Sequence, residues 1–258
     1  AHEIRNPLAS IRSATEQLAR RRARSLAPTA DDDDECILHD LVVREADRLS
    51  RLLADFLDFA RARVTRVSRL DLGATVNTAS MLAASHPDRR DGVKVQVSVA
   101  PELPPVQGDE DLLHRAVFNL VLNAVQAVGP EGHVFIEVDR YRPTGEHGAA
   151  SAMLTGELLT VSVIDDGPGV PPALKDRLFE PFVTGKAGGT GLGLAVVHRA
   201  VEAHRGVVLL DTPTRGTRFT MLLPIASGHE SSHNAAPFEP HPDESANATL
   251  PRFPGLAP

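Results

Sequence analysis

Two glycine-rich motifs in the second half of the chain have the composition of a phosphate-binding site. Asp165-Asp166-Gly167-Pro168-Gly169 follows an apolar run, and Gly188-Gly189-Thr190-Gly191-Leu192-Gly193-Leu194 opens a predicted helix. Glycines there permit positive φ angles and let backbone N–H groups approach an anion, and the N-terminus of the following helix favours phosphate. Alone, the second motif is weak evidence, because flexible turns give similar strings. It lacks the Lys-Ser/Thr ending of a P-loop and does not fit the dinucleotide fingerprint.

Two asparagines upstream add a possible metal ligand. Asn119 and Asn123 lie four residues apart in the apolar stretch 115–124, which places both on one face of a predicted helix. An amide oxygen is a hard, neutral ligand that suits Mg²⁺, and this ion takes its remaining ligands from water and nucleotide phosphates. Both side chains could instead cap or cross-link neighbouring loops, and the residues alone leave the two readings open.

The first part of the chain has the apolar periodicity of two amphipathic helices. Between them, residues 21–34 contain Pro28 and four consecutive Asp residues and predict a solvated connection. One hairpin cannot cover seams this long, so we expect a homodimer that forms a four-helix bundle. The seams, spaced by three and four residues, are Ile4, Leu8, Ile11, Thr15 and Leu18, then Leu38, Val42, Glu45, Leu49, Leu52, Phe56 and Phe59 in a helix from about residue 35 to 63.

After residue 64 the pattern changes to short strands that alternate with helices. We predict strands at 93–99, 133–140, 158–164, 207–210 and 217–223, and helices at 109–128 and 192–204. Residues 141–156 read as irregular. The fold class is therefore α+β, with a two-helix hairpin in 1–64, a layered α/β domain in 65–226 and a disordered tail in 227–258.

Composition excludes several classes of partner. The net charge is −7 and the apolar content 42%, whereas nucleic acid or acidic lipid requires a broad surface of Lys and Arg. The one basic cluster, Arg20 to Arg24, is followed closely by an acidic run. No stretch is long and apolar enough to predict a membrane span, and Cys36 stands alone, so no intrachain disulfide can form. We expect a soluble, cytoplasmic chain without direct membrane contact, whether or not a segment outside it anchors the parent protein.

Five motifs follow one another in the second half of the chain. They are Asn119 and Asn123, Asp165-x-Gly167-x-Gly169, Phe179 and Phe182, Gly189-x-Gly191-x-Gly193, and Gly216-Thr217. In this order, the motifs make the chain resemble the ATPase domain of histidine kinases. These five motifs are similar to the family's N, G1, F, G2 and final glycine boxes. The wider relatives are the gyrase, heat-shock-90 and MutL type ATPases. The resemblance implies a two-layer α/β sandwich that binds ATP.

The resemblance also implies a role for individual residues. Asp165 is expected to bind the adenine amino group, Asn123 to hold Mg²⁺ and Asn119 to lie near the phosphates. Residues 171–188 would form a mobile lid, in which Lys186 either reaches a phosphate or is merely solvated. Gln126 occupies a place where many such kinases have a Lys or another basic residue. The Gln matches instead the nitrogen-regulation-like subgroup, whose motif is Asn-Ala-x-Gln-Ala. The remaining expected nucleotide contacts are Gly167, Gly169, Gly189, Thr190, Gly191, Leu192, Gly193 and Thr217.

The N-terminal residues His2-Glu3-Ile4-Arg5-Asn6-Pro7-Leu8 resemble the phosphoacceptor box of the same family. Glu3 can accept the ring proton of His2 and orient its other nitrogen for attack on the γ-phosphate. Asn6 lies one turn further on the same face, where it could position a water or the acceptor. Only Ala1 precedes His2, so we interpret the chain as a fragment in which the helix frays at His2, nucleotide binding survives and autophosphorylation is impaired.

These motifs together predict ATP-dependent autophosphorylation of His2 and transfer of the phosphoryl group to an Asp of a response-regulator receiver domain. Asn6 suggests, in addition, a phosphatase activity toward that partner. Two other functions remain open at this point. One is a non-kinase ATPase of the same fold that drives a clamp, and the other is a nucleotide-binding scaffold without chemistry.

Overall fold

The structure is a computed structural model, and it describes residues 11, 13–18, 32–87, 89–141, 157–186 and 189–225, with the side chains of 32–36 excepted. His2, Glu3, Asn6 and Gly188 lie outside these ranges. So do most of the predicted irregular segment 141–156 and the whole of the predicted tail 227–258.

The first described helix of full length, α1, runs from Asp32 to Arg61. It begins and ends within three residues of the predicted span, because its apolar seam has a helical period. Leu52 of the seam is 1% exposed, but other apolar side chains of α1 are open to solvent, among them Ile37, Val43, Leu53 and Phe56. Residues 13–18 are also helical, and Ala14 is buried.

A five-stranded mixed sheet forms one layer of the following domain. The strands are β2 (Lys94–Val99), β4 (His133–Arg140), β5 (Leu158–Asp165), β6 (Val207–Asp211) and β7 (Thr217–Pro224), and their order is β2-β4-β5-β7-β6. Strands β2 and β4 pair in parallel, whereas the other neighbours are antiparallel. The inward residues of β4 are buried at every second position, as period-two strands require.

Three helices cover one face of this sheet and confirm the predicted α+β two-layer sandwich. They are α2 (Leu72–Ala84), α3 (Glu110–Ala127) and α4 (Gly193–Ala203). Helix α3 packs against both α2 and α4. Its buried face includes Leu113, Val117, Leu120 and Val121, which join the inward strand residues in one core. None of the helices within the described ranges combines the length and apolarity needed to cross a bilayer.

Helix α2 and two short strands were not predicted from the sequence. Strands β1 (Ser68–Leu70) and β3 (Val106–Gly108) form an antiparallel pair of only three residues each. The buried face of helix α2 includes Gly73, Thr75 and Ser80, whereas the apolar Met81 and Leu82 are exposed, so its sequence has no clear apolar stripe. Asp71 caps its N-terminus through the Ala74 N–H.

Asp109 fixes the connection between α1 and the layered domain. Its carboxylate accepts hydrogen bonds from the Thr65 N–H and hydroxyl at 2.8 and 2.9 Å, from the Arg66 N–H at 3.1 Å and from the Leu112 N–H at the start of α3 at 3.2 Å. Its own N–H donates to Nε2 of the buried His204 at 2.8 Å. Burial opposes ionisation, but the hydrogen bonds prevail and lower the pKa of Asp109 to about 2.

We expect Asp109→Ala to reduce the free energy of unfolding by about 2–3 kcal/mol, since it removes a helix cap and leaves the Thr65 and Arg66 donors without their acceptor. The matched variant Asp71→Ala removes a cap only and should cost about 1 kcal/mol. Urea unfolding followed by circular dichroism measures both. Equal losses would contradict the anchoring role of Asp109.

The effect of Asp109 should also depend on pH. Its folded-state pKa lies below the ordinary value of 3.8, so its stabilisation is present above about pH 4 and is lost as the pH falls through about 2. The difference in unfolding free energy between the natural chain and Asp109→Asn should therefore shrink as the pH is lowered from 5 toward about 3. A difference that stays constant over this range would be evidence against the lowered pKa.

Candidate functional site

The candidate site lies where the end of β5, the second half of α3 and the loop before α4 meet. Asp165 is the last residue of β5, Asn119 and Asn123 belong to α3, and Gly193 is the first residue of α4. Carboxylate, amide and backbone groups therefore come from three separate parts of the chain.

Asp165 has a buried carboxylate that accepts hydrogen bonds from the following turn and from the neighbouring strand β7. Only 5% of the residue is exposed. The carboxylate accepts the Gly167 N–H at 2.9 Å and also hydrogen bonds from the backbone and hydroxyl of Thr217, which pairs with it across β5 and β7. Burial raises the pKa of Asp165, and these hydrogen bonds oppose the rise. A buried acceptor of this kind suits a neutral donor group such as an exocyclic amine.

Glycines around Asp165 allow the backbone to pack closely. A Cβ at Gly216, whose φ is +84°, would lie 1.8 Å from the carbonyl oxygen of Asp165. A Cβ at Gly167 would lie 2.9 Å from the Asp165 Oδ1. A Cβ at Gly169 would lie 3.2 Å from the Gly216 carbonyl oxygen. Larger residues at Gly216 would push the strand ends apart and displace the carboxylate.

Asn123 meets the ammonium group of Lys186 from the segment between β5 and α4. The Lys186 Nζ lies 2.5 Å from Asn123 Oδ1, 3.2 Å from the Asn123 carbonyl oxygen and 3.2 Å from Gln126 Oε1. Burial lowers the pKa of Lys186 to about 8, although the nearby Asp165 carboxylate opposes this. The same Coulomb interaction shows that Lys186 and Asp165 are electrostatic neighbours.

The oxygens around Lys186 test whether this place suits a metal ion. Nζ is a positive charge surrounded by two side-chain amide oxygens and one carbonyl oxygen, and hard cations such as Mg²⁺ prefer the same ligands. The ammonium thus stands where a hydrated cation could meet Asn123. No group of three or more His, Cys, Asp and Glu side chains in the described ranges offers an alternative of the carboxylate or imidazole type.

The loop before α4 presents free backbone donors and one engaged hydroxyl. Helix α4 has no side-chain cap, so its first N–H groups are available to an anion. Gly191 has a φ of +68°, and a Cβ there would lie 2.5 Å from the Phe182 carbonyl carbon. The Thr190 hydroxyl lies 2.5 Å from the Asp55 Oδ2 of α1. Burial raises the pKa of Asp55, and the hydrogen bond from Thr190 opposes this rise.

The predicted lid, residues 171–188, is described as far as Lys186. It contains a 3₁₀ helix, Pro172–Arg177. Its partly buried Phe179 packs against the core, with its ring centroid 6.3 Å from that of Phe219 and 5.4 Å from that of His198. The Phe182 N–H donates to the Gly191 carbonyl oxygen at 2.9 Å. The segment is therefore attached at Phe179 and at Phe182, while no residue of the 3₁₀ helix is buried.

The structure brings most of the predicted nucleotide-binding residues to one region. Asn123 contacts Lys186, Asn119 faces Gly193 across the helix pair, and Asp165 contacts Gly167 and Thr217. Leu192 is fully buried and holds α4 in the core, so only its backbone can face a ligand. The sequence does not predict that Asp55 is the partner of Thr190, because the two residues are 135 positions apart and no local motif links them.

Two family models match the chain on either side of residue 100. The phospho-acceptor domain of His Kinase A type matches residues 1–64, and the "Histidine kinase-, DNA gyrase B-, and HSP90-like ATPase" matches residues 108–227. The chain belongs to the histidine kinase family. This family membership was expected from the five boxes and the N-terminal His-Glu motif.

Named relatives of this histidine kinase chain are sensor kinases. It is 33% identical to the sensor histidine kinase ZraS of Escherichia coli K12 over 226 residues, which are 87% of this chain and 44% of ZraS. It is 34% identical to the sensory histidine kinase/phosphatase NtrB of Rhizobium meliloti over 231 residues, which are 88% of this chain and 57% of NtrB. The chain thus spans about half the length of these curated relatives.

Solved histidine kinase structures share its fold. Full-length ShkA in complex with AMPPNP is 27% identical, with a TM-score of 0.56 over 88% of this chain and 44% of ShkA. The histidine kinase ThkA in complex with the response regulator TrrA is similar in fold, at 24% identity and a TM-score of 0.61 over 88% of this chain and 60% of that one.

We expect Asp165→Asn to weaken binding of an ATP analogue at least tenfold, because an amide cannot replace a carboxylate that accepts hydrogen bonds only. The neighbouring Asp166→Asn is the matched control, since that carboxylate accepts from the His133 N–H instead. Isothermal titration of both variants measures the difference. Equal affinities for the two would remove Asp165 from the binding site.

Lys186 should titrate near pH 8. The chain has three lysines, so reductive ¹³C-methylation yields only three side-chain dimethylamine signals to follow by NMR. One of them should change its shift with a midpoint near pH 8 and be missing from Lys186→Arg. An AMPPNP–Mg²⁺ addition should move this signal. A Lys186 signal that shows no titration below about pH 9 would refute the desolvation of the ammonium.

Proposed function

We propose that this chain is the core of a sensor histidine kinase that transfers the γ-phosphoryl group of ATP to His2. Transfer forms a bond between a ring nitrogen of His2 and the γ-phosphorus and breaks the bond from that phosphorus to the bridging oxygen, so ADP leaves. Glu3 takes the ring proton and orients the imidazole.

The observation that carries the proposal is the convergence of Asp165, Asn123 and the uncapped N-terminus of α4 in one region of a domain matched by the ATPase model. These groups suit the three parts of a magnesium–nucleotide complex that need polar partners: the neutral amino group of the base, the metal ion and the phosphate anion. Positioning and charge stabilisation account for most of the catalysis in phosphoryl transfer, so such a binding site needs only an acceptor in addition. His2 supplies it within the phospho-acceptor match.

Each site residue has a defined task in this proposal. Asp165 binds the adenine amino group, beside Gly167, Gly169 and Thr217. Asn123 would hold Mg²⁺, and the ion would supply positive charge that neutralises the phosphates. Asn119, Lys186 and the backbone of residues 189–193 hold phosphate oxygens. Because Lys186 is a flexible ammonium, it can follow a phosphate when the lid moves.

The proposed partners follow from the same chemistry. A phosphohistidine passes its phosphoryl group to a carboxylate, and we expect this to be an Asp of a response-regulator receiver domain. ThkA, which shares the fold, is known in complex with the response regulator TrrA. Asn6 would position a water that hydrolyses the aspartyl phosphate of the receiver domain to Asp and inorganic phosphate, which is the phosphatase reaction. The exposed apolar side chains of α1, such as Leu53 and Phe56, favour a homodimer through a four-helix bundle.

The proposed domain limits are 1–64 for dimerisation and phosphotransfer, 65–226 for ATP binding and 227–258 for a tail. A phosphorylation cycle that draws on ATP and a receiver domain also favours a cytoplasmic location.

Two rival functions predict different outcomes. A non-kinase clamp ATPase would hydrolyse ATP without labelling the chain, and a silent scaffold would bind ATP without either reaction.

The test is incubation of the 258-residue chain with γ-³²P-ATP and Mg²⁺. We expect slow formation of acid-labile, base-stable label that is absent from His2→Gln, since phosphoramidates hydrolyse in acid. His39→Gln serves as the matched control, because His39 lies on the exposed surface of α1, and this variant should keep the label. Label that persists in His2→Gln would assign the acceptor elsewhere, and phosphate release without label would favour the clamp ATPase.

A further inference from the structure

A second contact surface joins α1 to the ATP-binding region. Leu52 and Ala62 are buried, and between them lie Asp55, Asp58 and Phe59, all on one face of the helix because they are spaced by three or four residues. Asp58 forms an ion pair with Arg115 of α3. Arg199 of α4 lies over the Phe59 ring at 4.1 Å and donates to the Phe59 carbonyl oxygen at 3.2 Å.

Only one of these contacts reaches the candidate phosphate-binding loop. The Asp58–Arg115 pair is at the surface, where both side chains are about half exposed, so solvent weakens it. Asp55, in contrast, accepts a hydrogen bond from the Thr190 hydroxyl, with 2.5 Å between Oδ2 and Oγ1. Thr190 lies between Gly189 and Gly191, directly before the free N–H groups of α4.

A threonine hydroxyl has a single proton to donate. While Thr190 donates this hydrogen bond to Asp55, it cannot donate to a phosphate oxygen. A phosphate oxygen within hydrogen-bond distance of the Thr190 hydroxyl would also lie within about 6 Å of the Asp55 Oδ2, because each of the two contacts is shorter than about 3 Å. Two negative charges at that distance repel each other, and partial burial of Asp55 limits the screening by water.

We propose that the Asp55–Thr190 hydrogen bond is an autoinhibitory contact, in which docked α1 competes with a nucleotide phosphate for the loop before α4. Asp55 lies in the part of the chain matched by the phospho-acceptor model and Thr190 in the part matched by the ATPase model. A phosphate on the loop therefore releases α1, and a docked α1 weakens phosphate binding by the same factor. This inference rests on the proposed nucleotide function and adds a regulatory contact to it.

The experiment compares the affinities of the full chain and its variants for AMPPNP with Mg²⁺ and for adenosine, which has no phosphate. Asp55→Ala should bind AMPPNP about five- to tenfold more tightly than the natural chain, since a hydrogen bond to a charged group and a repulsion are removed. Asp55→Asn should give a smaller gain, because the amide still accepts from Thr190 but carries no charge. Adenosine affinity should stay the same in all of them.

Two controls isolate the contact. Asp58→Ala breaks the surface ion pair on the same helix face without touching the loop, and its AMPPNP affinity should change less than twofold. In a Thr190→Val background, Asp55→Ala should lose most of its effect, because the two residues act as one unit. Thermal unfolding by circular dichroism verifies that each variant is folded.

Several outcomes would overturn the competition. They are an AMPPNP affinity of Asp55→Ala that is unchanged or reduced, an equal gain in Asp58→Ala, or a parallel gain for adenosine. If neither the natural chain nor Asp55→Ala binds AMPPNP or adenosine, the nucleotide function itself is wrong and the competition with it. Normal AMPPNP binding with no effect of Asp55 refutes the competition alone.

Discussion

The close approach of Gly216 to Asp165 is the constraint on which the layered domain depends. The two strand ends lie so near each other that no side chain fits at Gly216, and this allows Thr217 to pair with Asp165 and to hold its carboxylate. The sheet thereby fixes one end of the candidate site without using a loop. The other groups of the site come from helices packed on the same sheet, so their positions follow from the core.

The candidate site contains two carboxylates and one ammonium group. Asp165 is a buried carboxylate, Lys186 is an exposed residue whose ammonium is partly desolvated near Asp165, and Asp55 is a partly buried carboxylate that contacts the loop before α4. Each of the three groups has its pKa moved toward neutrality by burial. None of them is neutralised by a permanent ion pair with another, so an incoming anion or cation can exchange with a group already there.

The sequence predicted those parts of the fold and site that have a local signal. Helix α3 has a cap at Asp109 and a strong apolar face, and the strands β4 and β5 alternate clearly, so all three were found within a few residues. Helix α2 was missed because its burial extends to Thr75 and Ser80, which breaks the amphipathic pattern. Lys186 and Asp55 contact residues 60 or more positions away, and such pairings depend on packing that no short motif records.

The hydrogen bonds from Thr65 and Arg66 to Asp109 limit how far the ATP-binding domain can move from helix α1. Helix α1 ends at Arg61 and Thr65 is already bound to Asp109, so the intervening chain works as a tether of four residue steps, at most about 14 Å when fully extended. If α1 separates from the loop before α4 while the hydrogen bonds to Asp109 remain, the domain can only pivot about the end of the helix. Its nucleotide then stays at a high effective concentration relative to the helical bundle, so transfer would depend on angle more than on diffusion.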